Sequence, residues 1–285
     1  MVDSARSLTK NMLLVWSGIS LILIYAPVIS LVIYGFNAGQ YALRWEGFSF
    51  RWYAAALTNP EMLLALFNSL FIGFISTILA VMLAFFYCLW AHRTKFRRLA
   101  GTSDSLMSLP LFIPEIVLSI GLLVMIVRFL KPAVLELGFN IDSVVAVIIG
   151  HTTIAVGYAS LVLRARFNTY DIQQELAAKD LGADKWQIFT TVMLPQIMPG
   201  LAAAACLSFA VSLDDFYVSY FLSTGGSALK TLPLYIWSLQ GRKAMTPEIN
   251  VVSSVLLILA LLFFCTGLAL SRSRTTGNDT RKGKS

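Results

Sequence analysis

The chain has 285 residues, 57% of them hydrophobic and 13% charged. A water-soluble domain carries roughly 25% charged residues, so the deficit argues against a water-solvated domain and for lipid as the solvent. A formal charge of +7 would suggest nucleic acid as partner in a soluble protein. Here the basic residues sit at the ends of apolar runs and in the tails, which argues against nucleic acid and for membrane topology.

Residues 12–36 carry no charge and follow Arg6 and Lys10. The run mimics a secretory leader, but it is too long and lacks a small-residue cleavage site, so it is expected to stay as a first span. Residues 37–61 form an aromatic-rich loop holding Tyr41, Trp45, Phe48, Phe50, Trp52 and Tyr53, in keeping with an interfacial aromatic belt. Further apolar runs at 62–91, 105–127, 143–163, 199–221 and 249–271 complete six candidate membrane spans, each at least the length of about 20 residues that a crossing helix needs. The run 62–91 is longer than needed and is expected to tilt or extend beyond the bilayer. The end, 272–285, is basic and unpatterned and is expected to be a disordered tail. Cys88, Cys206 and Cys265 lie inside apolar runs without metal-ligand spacing and read as small core residues.

Basic residues set the orientation. Arg6 and Lys10, the group from Arg93 to Arg98, the group from Arg164 to Lys185 and the C-terminal tail all fall on one side. They outnumber Arg44, Arg51, Arg128, Lys131, Lys230, Arg242 and Lys243 on the other, which places both termini in the cytoplasm. The loop 164–198 is then the one sizeable cytoplasmic connection. Within it Ile172, Leu176 and Ala183, and Ala177, Leu181 and Ile188, recur at helical spacings. Gly182 is placed to end a short helix, and Pro195 and Pro199 to close the loop before the next span.

Ionisable residues inside spans are costly and mark candidate sites. Glu115 follows Pro110 and Pro114, which should break or kink the third helix. Counted along an unbroken span it lies about 15 Å from the inner end, near the midplane. It is either a protonated carboxyl held by neighbouring groups or part of a pathway. Asp214 and Asp215 fall about 22 Å beyond Pro199 and point about 100° apart, so at least one should face a pore rather than lipid. The alternative is a pair at a helix end reaching water. Phe216, Tyr217, Tyr220 and Phe221 follow directly. Carboxylates beside aromatic faces suit an alkylammonium ion through ion pairing and cation–π attraction. An oxyanion substrate would instead call for Arg or Lys inside the spans. His151 stands in the fourth span without partners at ligand spacing and reads as a hydrogen-bonded packing residue before a metal or proton site. No Walker A sequence, nucleophile elbow or zinc-protease motif occurs, so the chain is not read as an enzyme and would need an ATPase from outside.

The run Ala177-Ala178, three residues, Gly182, nine residues, Val192-Met193-Leu194-Pro195 resembles the loop signature of binding-protein-dependent ABC permeases. Two positions depart: Leu176 stands in the Glu slot, with Glu175 one place earlier, and Val192 stands in the Ile slot. Phe50-Arg51-Trp52-Tyr53, Asn59-Pro60 and Asn68-Ser69-Leu70 agree with that family. Ser212 to Phe221, Leu232 to Trp237 and Thr246 to Asn250 resemble the putrescine/spermidine permeases.

The resemblance implies an all-α membrane protein of the type I ABC importer permease fold in a bacterial inner membrane. It implies a second homologous permease, two ATPase subunits that hold ATP and Mg, and a periplasmic polyamine-binding protein; this chain itself would hold no cofactor. It implies a coupling role for Glu175, Ala177, Ala178, Asp180, Leu181, Gly182, Ala183, Leu194 and Pro195. Asp214, Asp215, Glu115, Tyr217, Tyr220 and Trp237 become candidates for a substrate pathway. The expected cargo is a polyamine, putrescine ahead of spermidine. The alternatives are an ABC permease for another small cationic or organic solute, or a proton-coupled secondary transporter.

Overall fold

A computed structural model describes residues 2–42, 44–94, 96–138, 140–223, 229–240 and 246–282. In chain order the helices are α1 (Val2–Tyr34), α2 (Arg51–Thr58), α3 (Pro60–Arg93), α4 (Arg97–Ser108), α5 (Glu115–Met125), α6 (Lys131–Glu136) and α7 (Ser143–Phe167). They continue with α8 (Ile172–Asp180), α9 (Lys185–Ile188), α10 (Leu194–Asp214), α11 (Tyr217–Leu222), α12 (Leu232–Gln240) and α13 (Glu248–Lys282). Among the described residues the only β pairing is an isolated bridge between Asn37 and Phe48. Among the described residues six helices are long and apolar enough to cross a membrane: Lys10–Tyr34, Pro60–Arg93, Glu115–Glu136, Ser143–Phe167, Lys185–Asp214 and Glu248–Cys265. In lipid a helix satisfies its own backbone polar groups, which is why an apolar chain of this length resolves into helices.

The chain divides into two units. One comprises Met1–Leu63 and Ile236–Leu257. Its aromatic-rich loop is built on Asn37, which is fully buried. The Asn37 side chain accepts from the N–H groups of Gly39 and Glu46 and donates to the carbonyls of Tyr41 and Arg44. Trp52 Nε1 donates to the Gly39 carbonyl, and Asn59 donates to Glu248. Tyr41, Trp45, Phe48 and Phe50 stay exposed around this knot.

The other unit comprises Leu64–Tyr235 and Ile258–Ser285. Its spine is α7 packed along α10. Ala155, Ala159, Ala204 and Ser208 are fully buried there, and Ser208 Oγ donates to the Ala155 carbonyl. Gly200, Ala204, Ser208 and Ser212 recur every four residues, so small side chains line one face of α10 and two backbones can approach closely. At the far end of α7, Gly150 performs the same service for α11. A Cβ there would stand 2.4 Å from Val218 Cγ1 and 2.6 Å from Leu222 Cδ1.

Four boundaries differ from the sequence expectation. The third span is Glu115–Glu136 rather than 105–127. The break expected at Pro110 and Pro114 is present: a short 3-10 turn at Leu109–Leu111 ends α4, and Pro114 caps α5. Glu115 therefore opens a helix and does not sit halfway along one. The fifth span starts at Lys185, not after Pro199, because Asp184 forms a capping box with Gln187. A π turn at Phe189–Met193 precedes Pro195; such a widened turn accommodates a proline that lacks the N–H for the helical ladder. The fifth helix also ends at Asp214 instead of running to 221, since Asp215 adopts an extended ψ of 115°. Finally, α13 continues through Lys282, so the described part of the expected tail 272–285 is helical; no proline interrupts it, and extending an existing helix needs no new nucleus.

Close approach at Gly150 is testable. Gly150→Ala should cost about 1–3 kcal/mol by overpacking and lower the thermal midpoint of the purified protein. Adding Val218→Ala, which removes the nearest clashing methyl, should restore part of it. An unchanged midpoint in the single variant would contradict the tight α7–α11 contact.

Candidate functional site

Two clusters of predicted residues lie at opposite ends of one continuous helix. From Lys185 to Asp214 the helix has 30 residues, which is about 45 Å at 1.5 Å per residue.

At the first end lies the loop that carries the signature spacing. Asp171 caps α8 by accepting from Gln173 N–H. The helix stops at Gly182, whose φ of +84° lies in the left-handed region. Gly182 N–H donates to the Lys179 carbonyl and Ala183 N–H to the Ala178 carbonyl. These are the two bonds of a Schellman stop, a geometry that favours glycine because it has no Cβ to clash. The Asp184–Gln187 capping box then starts α9 at once. Ala177 and Ala178 supply the last turn of α8, and Asp180 and Leu181 lead into the stop. Leu181 and Trp186, either side of Gly182, are 89% and 71% exposed. Leu194 and Pro195 open α10 on the return.

Glu175 is the surprise of this end. It sits one place ahead of the signature slot, yet it is buried while Leu176 in the slot is exposed. Its carboxylate pairs with Arg93 at the end of α3 and with Lys179, each at 3.2 Å, and accepts from the Tyr170 hydroxyl at 3.0 Å. Burial alone would push the Glu175 carboxyl up. The hydrogen bonds from Tyr170 and Lys179 and the charges of Arg93 and Lys179 outweigh it and hold the carboxyl below its ordinary value. Burial and the neighbouring Glu175 push the Tyr170 phenol up to about 12, so it stays a donor. Glu175, one residue ahead of the slot, is thus the residue that forms the ion pairs here.

At the second end, Asp214 closes α10 and is exposed, while Asp215 is buried and its carboxylate accepts from Val218 N–H, capping α11. Glu115, exposed at the start of α5, comes to the same place. Glu115, Asp214 and Asp215 line a cavity of about 320 Å³ together with Tyr158, Ala210 and Val211. No Lys or Arg is among these lining residues. Tyr217 and Tyr220 lie outside that lining on the exposed face of α11, where Phe216 stacks on Tyr220. Trp237 is exposed on α12, in the other unit. Tyr158 was not singled out in the sequence. Its only signal there is position, two helical turns after His151 and so on the same face of α7.

His151 is fully buried between two hydroxyls, with Nδ1 2.7 Å from Ser212 Oγ and Nε2 3.0 Å from Ser219 Oγ. It is hydrogen-bonded and buried, in keeping with the packing residue expected from the sequence. No group of three or more metal-ligating side chains occurs among the described residues.

The chain is similar to known proteins in both sequence and fold. Residues 76–273 match the family described as binding-protein-dependent transport system inner membrane component. Over 255 residues the chain is 30% identical to the spermidine/putrescine transport system permease protein PotC of Escherichia coli (strain K12), covering 90% of this chain and 92% of that one. Over 245 residues it is 31% identical to the putrescine transport system permease protein PotI of the same strain, covering 82% and 81%. Its fold matches a chain of the crystal structure of a bacterial alginate ABC transporter in complex with an alginate pentasaccharide-bound periplasmic protein. That match has a TM-score of 0.69 at 18% identity and covers 93% and 94% of the two chains.

The chain belongs to the family of binding-protein-dependent transport system inner membrane components. It is the multi-pass permease component of an ABC importer, similar to polyamine permeases, and its relatives are transport subunits rather than enzymes.

The Glu175 network yields a measurable coupling. A double-mutant cycle of Arg93→Gln and Glu175→Gln should return an interaction on the order of 1 kcal/mol, since Arg93 is half exposed. Because the folded carboxyl lies below its ordinary value of 4.5, its contribution is complete above that value. It is lost as pH falls through the lowered one. The stability gap between wild type and Glu175→Gln should thus be full at neutral pH and close on acidification. A gap independent of pH would contradict the ion pairing.

Proposed function

We propose that this chain is one of two homologous permease subunits that move a polyamine, putrescine ahead of spermidine, from periplasm to cytoplasm. The observation that carries the reading is the convergence of Glu115, Asp214 and Asp215 on one cavity without a lining cation. Carboxylates crowded together repel one another, and a di- or polycation relieves that cost. The identities to PotC and PotI support the same substrate class. Asp215 spends part of its hydrogen-bonding capacity on Val218 N–H, which leaves Asp214 and Glu115 as the better placed acceptors for an ammonium group.

The other end supports coupling to two ATPase subunits. A rigid turn that presents exposed Leu181 and Trp186 between two capped helices is suited to a groove on a partner. The continuous helix from Lys185 to Asp214 would carry a tilt of that turn to the carboxylates. Arg93–Glu175 would take α3 along with it. The distribution of basic residues supports cytoplasmic termini and a cytoplasmic turn. A periplasmic polyamine-binding protein would deliver the cargo on the opposite side, and ATP and Mg would bind on the ATPase subunits.

Three outcomes test this. Asp214→Asn should reduce uptake of labelled putrescine by the reconstituted transporter about tenfold or more, with unlabelled spermidine competing and neutral amino acids not. Wild-type uptake by this variant would remove the cation reading. Gly182→Pro, which cannot adopt a φ of +84° and loses the bond to Lys179, should abolish copurification of the ATPase while the protein still inserts. Retained ATPase would remove the docking role of the turn. Uptake that stops on ATP depletion but survives an uncoupler would exclude a proton-coupled mechanism.

A further inference from the structure

The helix break beside the carboxylates is held by one side chain from another helix. Ser212 lies in the last turn of α10 and Ser219 in the first turn of α11. Between them Asp215 is extended, which interrupts the helical ladder. His151 of α7 reaches both hydroxyls, one with each ring nitrogen, at 2.7 Å and 3.0 Å. All three side chains are buried. A neutral imidazole has one N–H and one bare nitrogen. It therefore donates to one serine and accepts from the other, so each ring nitrogen finds its partner in a hydroxyl.

Two further contacts close the same joint. Asp215 accepts from Val218 N–H. Gly150, next to His151, leaves room for Val218 and Leu222 to seat against α7. A serine inside a helix commonly bonds the carbonyl one turn back, as Ser119, Thr153 and Ser254 do here. Ser212 and Ser219 point at the imidazole instead. A merely space-filling residue at 151 would need neither hydroxyl.

We propose that His151 is a positioning residue for substrate recognition: by bridging Ser212 and Ser219 it locks the break between α10 and α11 and so fixes where the Asp214 and Asp215 carboxylates stand. The proposal rests on the cation reading of that cavity. His151 is buried and is not among the residues that line the cavity, so its role there is one of positioning and not of contact with the cargo. Its effect passes through the backbone of residues 212–219, where a small rotation at an unlocked joint would swing both carboxylates.

The test uses the assembled transporter in proteoliposomes, with labelled putrescine as probe and amide hydrogen exchange of residues 216–222 as a second readout. His151→Phe keeps an aromatic ring but loses both bonds. It should raise KM for putrescine about tenfold with less than twofold change in kcat, and speed exchange across 216–222 at least tenfold. Ser219→Ala, which removes one bond and spares folding, should shift both readouts the same way by a smaller factor, and joining the two changes should add little. His151→Gln keeps a donor and an acceptor and should recover part of the loss.

Lower amounts of His151→Phe with wild-type KM and exchange would mean a packing role only and overturn the proposal, as would unchanged KM in Ser219→Ala together with His151→Phe. Asp214→Asn is run in parallel. If it leaves KM unchanged, the cation reading falls, while the exchange rates still decide whether the joint is locked by His151. If Asp214→Asn raises KM and the His151 variants do not, only the positioning role falls.

Discussion

Close packing of α7 on α10 is the constraint from which the larger unit follows. Lipid tails are as apolar as leucine, so two helices in a membrane gain little by hiding apolar surface from it and associate through fit. The stripe Gly200, Ala204, Ser208 and Ser212 on α10 provides that fit against Ala155 and Ala159 on α7. The stripe runs out at His151, where packing gives way to hydrogen bonding. Once this pair is set, the loop that joins them must sit at one end and the carboxylates at the other.

The loop is built by backbone chemistry more than by burial. Asp171, Gly182 and Asp184 in turn start, stop and restart the chain within 14 residues, and the bonds at each point are local. Such a turn keeps its shape whatever it contacts, and this is why exposed Leu181 and Trp186 can be presented as a fixed surface. Glu175 ties the turn to α3 through Arg93. The turn is therefore connected to three long helices, so a push on it reaches α3, α7 and α10 together.

The carboxylate end obeys a different rule. Irregular backbone at membrane depth is tolerated only where protein or a cavity satisfies it. Two interruptions in the larger unit, before Glu115 and after Asp214, meet at the same cavity. Broken helices and acidic side chains thus share one location. There Asp215 accepts from the freed Val218 N–H, and His151 joins the serine hydroxyls on either side of the break.

Much of this could be read along the chain. Apolar runs announced six spans, since length and charge alone decide whether a helix can cross. Prolines at 110 and 114 announced the first break, and Gly182 announced the stop of α8, because these are local steric facts. The second break carried no steric marker and stood only as an alternative: Ser212 to Phe221 contains neither glycine nor proline, and the contacts that hold both sides of the joint come from α7. Arg93 and Glu175 lie 82 positions apart, and a charge at a span end reads as topology until its partner is in view. Composition and spacing depend on neighbours in sequence and so decided spans, loop and candidate acids. Which acids share a cavity, what Glu175 pairs with and what His151 fastens depend on neighbours in space, and those exist only once α7 and α10 have packed.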